Sequence, residues 1–321
     1  MAKKVILDVD TGSDDACAIM LAYLHKEIDL VAVCTVNGNQ PLKNTTENTL
    51  RIKDLLKADF PVYRGCDKPF VHHLVYPHMD MTKNADYTDE NGNKVHIHTE
   101  YFDLPKSVSK IEDKHAVLFY IDYLMNSKEK VTLVPVGPLT NLAVALAIEP
   151  RIVEHIEEIV IMGGGSGITN CTLASEFNIF IDPEAAQKVL CCGAKITMVP
   201  LDATHSAYIT MDNAEELRSF HNPVADFAAD LIETRVRVHD ECQPLEVPHA
   251  CALHDPLCIA YLIDPDVLSD IRFLHVDVSL SGLTEGMTVV DQRGLQDNRN
   301  VYYAFKGNPE KFARIFIDTL K

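Results

Sequence analysis

The chain has 321 residues with 47 acidic against 29 basic side chains, a formal net charge of −18 that argues against a nucleic-acid partner, since phosphate binding needs clustered Lys and Arg. With 47% apolar and 24% charged residues the composition is that of an ordinary globular protein, and the length suits one large α/β domain over residues 1–321. No apolar run approaches the roughly 18 residues of a membrane span, and Met1-Ala2-Lys3-Lys4 leads into a short apolar run unlike a signal-peptide core, so a cytoplasmic protein without a membrane partner is expected.

Strands alternate with helices along most of the chain, which predicts βαβ units and a mainly parallel, Rossmann-like central sheet flanked by helices. Val5-Ile6-Leu7 is a strand, followed by a helix from Asp15 to about Lys26, a buried strand Leu30 to Val36, a helix from about Asn44 to Leu56 and a short strand at Pro61-Val62-Tyr63. From Cys66 to about Lys110 the periodicity dissolves into an irregular loop, with the polar run Asp86 to Lys94 between the histidines His72, His73, His78, His96 and His98. An insertion of that length inside a compact domain marks a functional lid or a disordered loop. Order resumes with a helix from His115 to about Ser127, the strand Val131 to Val136, a turn at Gly137-Pro138 and a helix from Leu142 to Ile148.

The strand Ile156 to Met162 opens onto Gly163-Gly164-Gly165-Ser166-Gly167, which reads as a tight backbone turn because it lacks the register of a dinucleotide-binding Gly-x-Gly-x-x-Gly. Asp182-Pro183-Glu184 starts a helix, Lys195 to Pro200 is a strand, and Asp212 is placed to cap the helix after it. A helix runs from about Val224 to Val238, then an irregular loop is expected over 236–252, and His254-Asp255-Pro256 opens another helix. The tail carries strands near Arg272 to Leu280, Gly286 to Val290 and Val301 to Phe305, and a helix from Pro309. Nine cysteines, an odd count without Cys-x-x-Cys spacing, read as reduced thiols.

The chemistry is concentrated in Asp8-Val9-Asp10-Thr11-Gly12-Ser13-Asp14-Asp15, four carboxylates between a strand and a helix, at the strand end where open α/β sheets bind ligands. Like charges so close call for protons or a cation, and oxygen donors favour a hard ion such as Ca²⁺ or Mg²⁺. The plainer reading is that Asp14 or Asp15 caps the helix. An EF-hand is excluded, because Gly12 and Ser13 stand where its loop requires Asp or Asn and then Gly. The alternative enzyme is an aspartyl-phosphate phosphatase using Asp8 and Asp10 with Mg²⁺.

The same stretch resembles the N-terminal signature of the inosine-uridine nucleoside hydrolases. Further blocks are similar in the same order: Gly38-Asn39-Gln40, Val134 to Asn141, Ile161 to Gly165, Glu176 to Ala186, His254-Asp255-Pro256 and Gly286 to Asp291. The resemblance implies a single domain with its active site at the carboxyl ends of the strands, and hydrolysis of ribonucleosides, purine or pyrimidine, to ribose and free base. It implies Ca²⁺ held by Asp10, Asp15, Asp255 and the main-chain carbonyl of Val136, where the family commonly has Thr. Asp10 would take the proton of the attacking water and His254 would assist the leaving base. Asp14 and Asn39 would bind the ribose diol, Asn170, Glu176 and Asn178 the sugar at its 5′ side, Met162 the underside of the ring and His98 the base. A purine-specific branch sandwiches the base between tryptophans, which this chain lacks altogether. In place of base-contacting tyrosines it offers Arg235, Arg237, His239 and Gln243. Family habit implies a homo-oligomer, dimer or tetramer, acting in nucleoside salvage.

Overall fold

The computed structural model describes residues 2–75, 87–88, 94–95 and 97–321. Its centre is an eight-stranded sheet in the order Leu268–Leu274, Val301–Gly307, Ile196–Val199, Ile156–Met162, Val131–Pro135, Lys3–Val9, Ile28–Thr35, Val62–Arg64. Every pairing is parallel except that of the edge strand Leu268–Leu274 with Val301–Gly307. The sheet is buried on both faces. Val5, Leu7 and Val9 pack into one apolar layer while Ile6, between them, packs into the other. That two-sided burial is why the inner strands read as continuous apolar runs.

The chain leaves Lys3–Val9 for Ile28–Thr35 on one side of the sheet, whereas Val131–Pro135 pairs with it on the other. This reversal of strand order opens a crevice at the carboxyl ends, beside Asp10 and Val136. The helix Ser13–Leu24 starts there and is buried from Ser13 to Ala22, so its first turn cannot hand its acidic side chains to solvent.

The structure departs from the sequence reading in three places. The segment expected to be an irregular loop from residue 236 is helical as far as Cys242, in the twenty-residue helix Pro223–Cys242. Arg237, Asp240 and Glu241 are its solvent face, and Val236, Val238 and His239 its buried one. Asp212 does not cap the next helix; Thr210 does, accepting from the Asn213 amide at 3.4 Å. The expected strand from Arg272 to Leu280 is divided: the edge strand ends at Leu274, and Val276–Val278 pairs instead with Thr288–Val290. Asn300 makes the break by accepting from the Val276 amide at 2.8 Å and donating to its carbonyl at 2.9 Å.

Candidate active site

A cavity of about 700 Å³ occupies the crevice, lined on its floor by Asp14, Asn39, Val136, Met162, Asn178 and Asp255. Asp10 and Asp15 are buried beside it, 1% and 0% exposed. One carboxylate oxygen from each of Asp14, Asp15 and Asp255 lies within 4.8 Å of the others. The plainer reading of Asp15 is realised at the same time. Its carboxylate accepts from the Gly12 amide at 2.9 Å and the Asp10 amide at 3.0 Å, closing the turn that starts the helix. Asn39 donates to Asp15 at 3.2 Å through its side chain and to Asp10 Oδ2 at 2.6 Å through its backbone.

Burial and mutual repulsion dominate the electrostatics. Burial first, and then the charge of Asp14, push Asp15 up to about 7. Burial followed by Asp15 carries Asp10 well above the usual carboxylate range, and burial followed by Asp14, Asp15 and Asp10 does the same to Asp255. Asp10 Oδ1 and Asp14 Oδ1 are buried without hydrogen-bond partners among the described residues. Oxygen atoms crowded together, desolvated and unpaired fit a hard divalent cation. Among the described residues, Asp14, Asp15 and Asp255 are the only such group of three. Asp10, expected as a ligand, adjoins this trio, and Asp14, expected on the sugar, belongs to it.

On the sugar side, Asn178 donates to the carbonyl of Val136 at 2.7 Å and to that of Met162 at 3.2 Å, fixing both strand ends. Glu176 caps the short helix Phe177–Ile181, accepting from Asn178 and Gly164 at 2.9 Å and from Ile179 at 3.2 Å. Burial outweighs these three donors and pushes its carboxyl up to about 7. Asn170 lines the cavity mouth and accepts from the Phe177 amide at 2.9 Å.

The opposite wall is rich in histidine. His254 is fixed by Thr204, whose hydroxyl lies 2.8 Å from Nδ1, and its ring stands 5.7 Å from that of His205 and 6.1 Å from that of His239. Burial, reinforced by Arg235, pushes His254 well below its ordinary range, His205 down to about 4 and His239 down to about 3. His98 joins the cavity from the irregular segment, its Nδ1 accepting from the Ser13 amide at 3.3 Å. Gly12 permits this contact, because a Cβ there would stand 2.2 Å from His98 Nδ1. Burial pushes His98 down to about 4. His78 and His96 lie outside the described residues.

Of the four residues that stood out in the second loop, Arg235, His239 and Gln243 line the cavity and Arg237 points to solvent. Thr204 and His205 carried no recognisable pattern, and only the packing of the helix His254–Ile263 reveals them. Asp8 does not line the cavity. It is buried beneath it, accepting from Tyr120 at 2.9 Å and Asn141 at 3.0 Å, and burial pushes it up to about 7. A nucleophilic Asp8 facing a phosphate is therefore unsupported.

The profile of the family described as inosine-uridine preferring nucleoside hydrolase matches residues 5–314. The chain belongs to this family. It is 38% identical to the inosine-uridine preferring nucleoside hydrolase of Crithidia fasciculata, over 100% of this chain and 98% of that one. Identity with the pyrimidine-specific ribonucleoside hydrolase RihA of Photobacterium profundum is 37%, over 100% and 99%. Among solved structures, the purine-preferring ribonucleoside hydrolase from Gardnerella vaginalis superposes with a TM-score of 0.85 at 30% identity, covering 99% of this chain and 98% of its own. The chain is thus a ribonucleoside hydrolase, acting on a small-molecule nucleoside. Its similar relatives carry three different base preferences in their names.

Proposed function

We propose that this chain cleaves the N-glycosidic bond of ribonucleosides with the help of Ca²⁺, held by Asp10, Asp15, Asp255 and the Val136 carbonyl. The carrying observation is the convergence of buried carboxylate oxygens from Asp14, Asp15 and Asp255 at the cavity floor, with Asp10 hydrogen-bonded into the same turn. Bound there, the ion would lower the pKa of a water molecule and hold the vicinal hydroxyls of the ribose. Asp10 takes the water proton, its Oδ2 steadied by the Asn39 amide and its Oδ1 left available. Asp14 and Asn39 grip the diol, Asn170, Glu176 and Asn178 hold the sugar at its 5′ side, and Met162 packs beneath the ring.

Departure of the base puts positive charge on the ribose ring, which the neighbouring carboxylates stabilise more than they stabilise the neutral substrate. Attack opposite the base inverts the anomeric carbon. His254 serves the leaving base, and His98 contacts it from the irregular segment. His254 is held neutral in the free site, so it takes up a proton with the substrate or acts as a neutral hydrogen-bonding partner.

The reading extends to a cytoplasmic homo-oligomer, dimer or tetramer, releasing bases for salvage. All nine cysteines are free, in keeping with a reducing compartment, and among the described residues no helix is long and apolar enough to cross a membrane. The test is a panel of inosine, adenosine, guanosine, uridine and cytidine, assayed for free ribose with and without a chelator. Ribose release that stops on chelation and returns with Ca²⁺ supports the reading, and release indifferent to chelation overturns the role of the ion.

A further inference from the structure

Four buried carboxylates stand together, Asp14 and Asp255 on the cavity floor and Asp10 and Asp15 beside it, and among the described residues one Lys or Arg side chain lines the cavity, that of Arg235. It is 4% exposed, so its charge is removed from water as thoroughly as theirs. The helix Pro223–Cys242 carries it across the cavity wall. One terminal nitrogen lies 3.7 Å from Asp14 Oδ2 and donates to the Ala252 carbonyl at 3.2 Å. Its Nε is buried with no hydrogen-bond partner among the described residues.

A guanidinium that satisfies so few of its donors is costly to bury. The compensation lies in its surroundings. Asp14, 3.7 Å from Arg235, belongs to the group of carboxylate oxygens that lie within 4.8 Å of one another with Asp15 and Asp255, so the guanidinium stands beside the cluster as its neighbouring positive charge. Fully ionised, the four acids and Arg235 together leave three negative charges, and a divalent cation reduces them to one. The negative charge that remains faces the ribose, where positive charge develops as the base departs. With a neutral side chain at residue 235 the cage would hold the cation more strongly and retain an unmatched charge.

We propose that Arg235 is a positioning residue acting through Asp14: it orients that carboxylate for the sugar and weakens the grip of the acidic cage on its cation. This inference rests on the cation-dependent reading above. It goes beyond that reading in assigning opposite effects on ion and substrate to one side chain.

Arg235→Met in the full chain removes the charge and keeps the length. Ca²⁺ is titrated into chelator-stripped protein by calorimetry, and ribose release is measured on whichever nucleoside the wild type cleaves fastest. The expected result is a Ca²⁺ Kd lowered at least about threefold, with kcat/KM reduced about tenfold or more, chiefly in kcat. Arg235→Lys should return the Kd to within about twofold of wild type by restoring the charge. A side chain that only fills space would leave Ca²⁺ binding unchanged or weaker in the Met variant, and that outcome overturns the proposal. Arg235→Gln is measured alongside, with thermal unfolding of each variant, so that misfolding of the Met variant leaves the same titration to be read. A wild type that neither binds Ca²⁺ nor releases ribose sinks the function itself; a wild type that does both, with an unaltered Kd in the neutral variants, sinks this inference alone.

Discussion

Gly38 lies so close to the carboxylate of Asp10 that a Cβ built on it would stand 2.1 Å from Oδ2. Gly137 approaches the other oxygen in the same way, at 2.6 Å from Oδ1. The two turns, one after each neighbouring strand, form a slot whose width fixes the Asp10 side chain. Gly38→Ala should therefore displace the carboxylate and lower kcat about 100-fold, the scale expected for an ångström of misplacement at a reacting group. Steady-state kinetics on a folded variant would check this. A kcat within about threefold of wild type would show that Asp10 needs no such confinement.

Asp10→Asn keeps the shape and the contact with the Asn39 amide but removes the basicity. Ribose release should fall about 1000-fold, within the range for loss of a general base. The cation-free variant should unfold at a temperature no lower than wild type, since a buried and repelled charge has been removed. Near wild-type turnover would refute Asp10 as the base.

Cation affinity should depend on pH with a definite sign. Without an ion, Asp15 is pushed up to about 7, and Asp10 and Asp255 also lie well above the ordinary carboxylate range. Protons and the cation compete for the same oxygens, so binding should weaken as pH falls below about 7 and should release protons into the buffer. Calorimetric Ca²⁺ titrations at pH 6 and pH 8, in two buffers of different ionisation enthalpy, measure both effects. Equal affinity at the two pH values, without proton release, would place the ion elsewhere.

His254→Ala should reduce hydrolysis of the nucleoside that the wild type cleaves fastest about 100-fold or more, and the loss should shrink for a riboside whose leaving group departs as a stable anion, such as p-nitrophenolate. Thr204→Val, which removes the partner of Nδ1, should show a smaller loss of the same kind. Equal losses on both substrates would mean that His254 binds the base without helping it leave.

The layered fold and the acidic floor were legible in the sequence because both are local. The runs Val5 to Leu7 and Ile156 to Met162 are strands buried on both faces, and Asp10, Asp14 and Asp15 share one turn. What escaped were relationships set by packing. Asp240 and Glu241 looked like a loop because they are charged, whereas the helix expected to end near Val238 continues to Cys242 with His239 buried on its inner face. Asp8 and Asp10, two residues apart, look equivalent in the sequence. Yet Tyr120 and Asn141, more than a hundred positions away, claim Asp8 for the fold. Thr204 meets His254 across 50 residues of chain, a pairing no spacing rule announces.

Residues 235 and 239 rise from successive turns of one stiff rod that ends at Gln243, while Asp10, Asp14 and Asp15 belong to a single strand-to-helix turn. The two halves of the pocket are built on different supports. Side chains along the rod can therefore be exchanged with no disturbance to the acidic turn, so one wall of the pocket is free to vary while the carboxylates stay where they are.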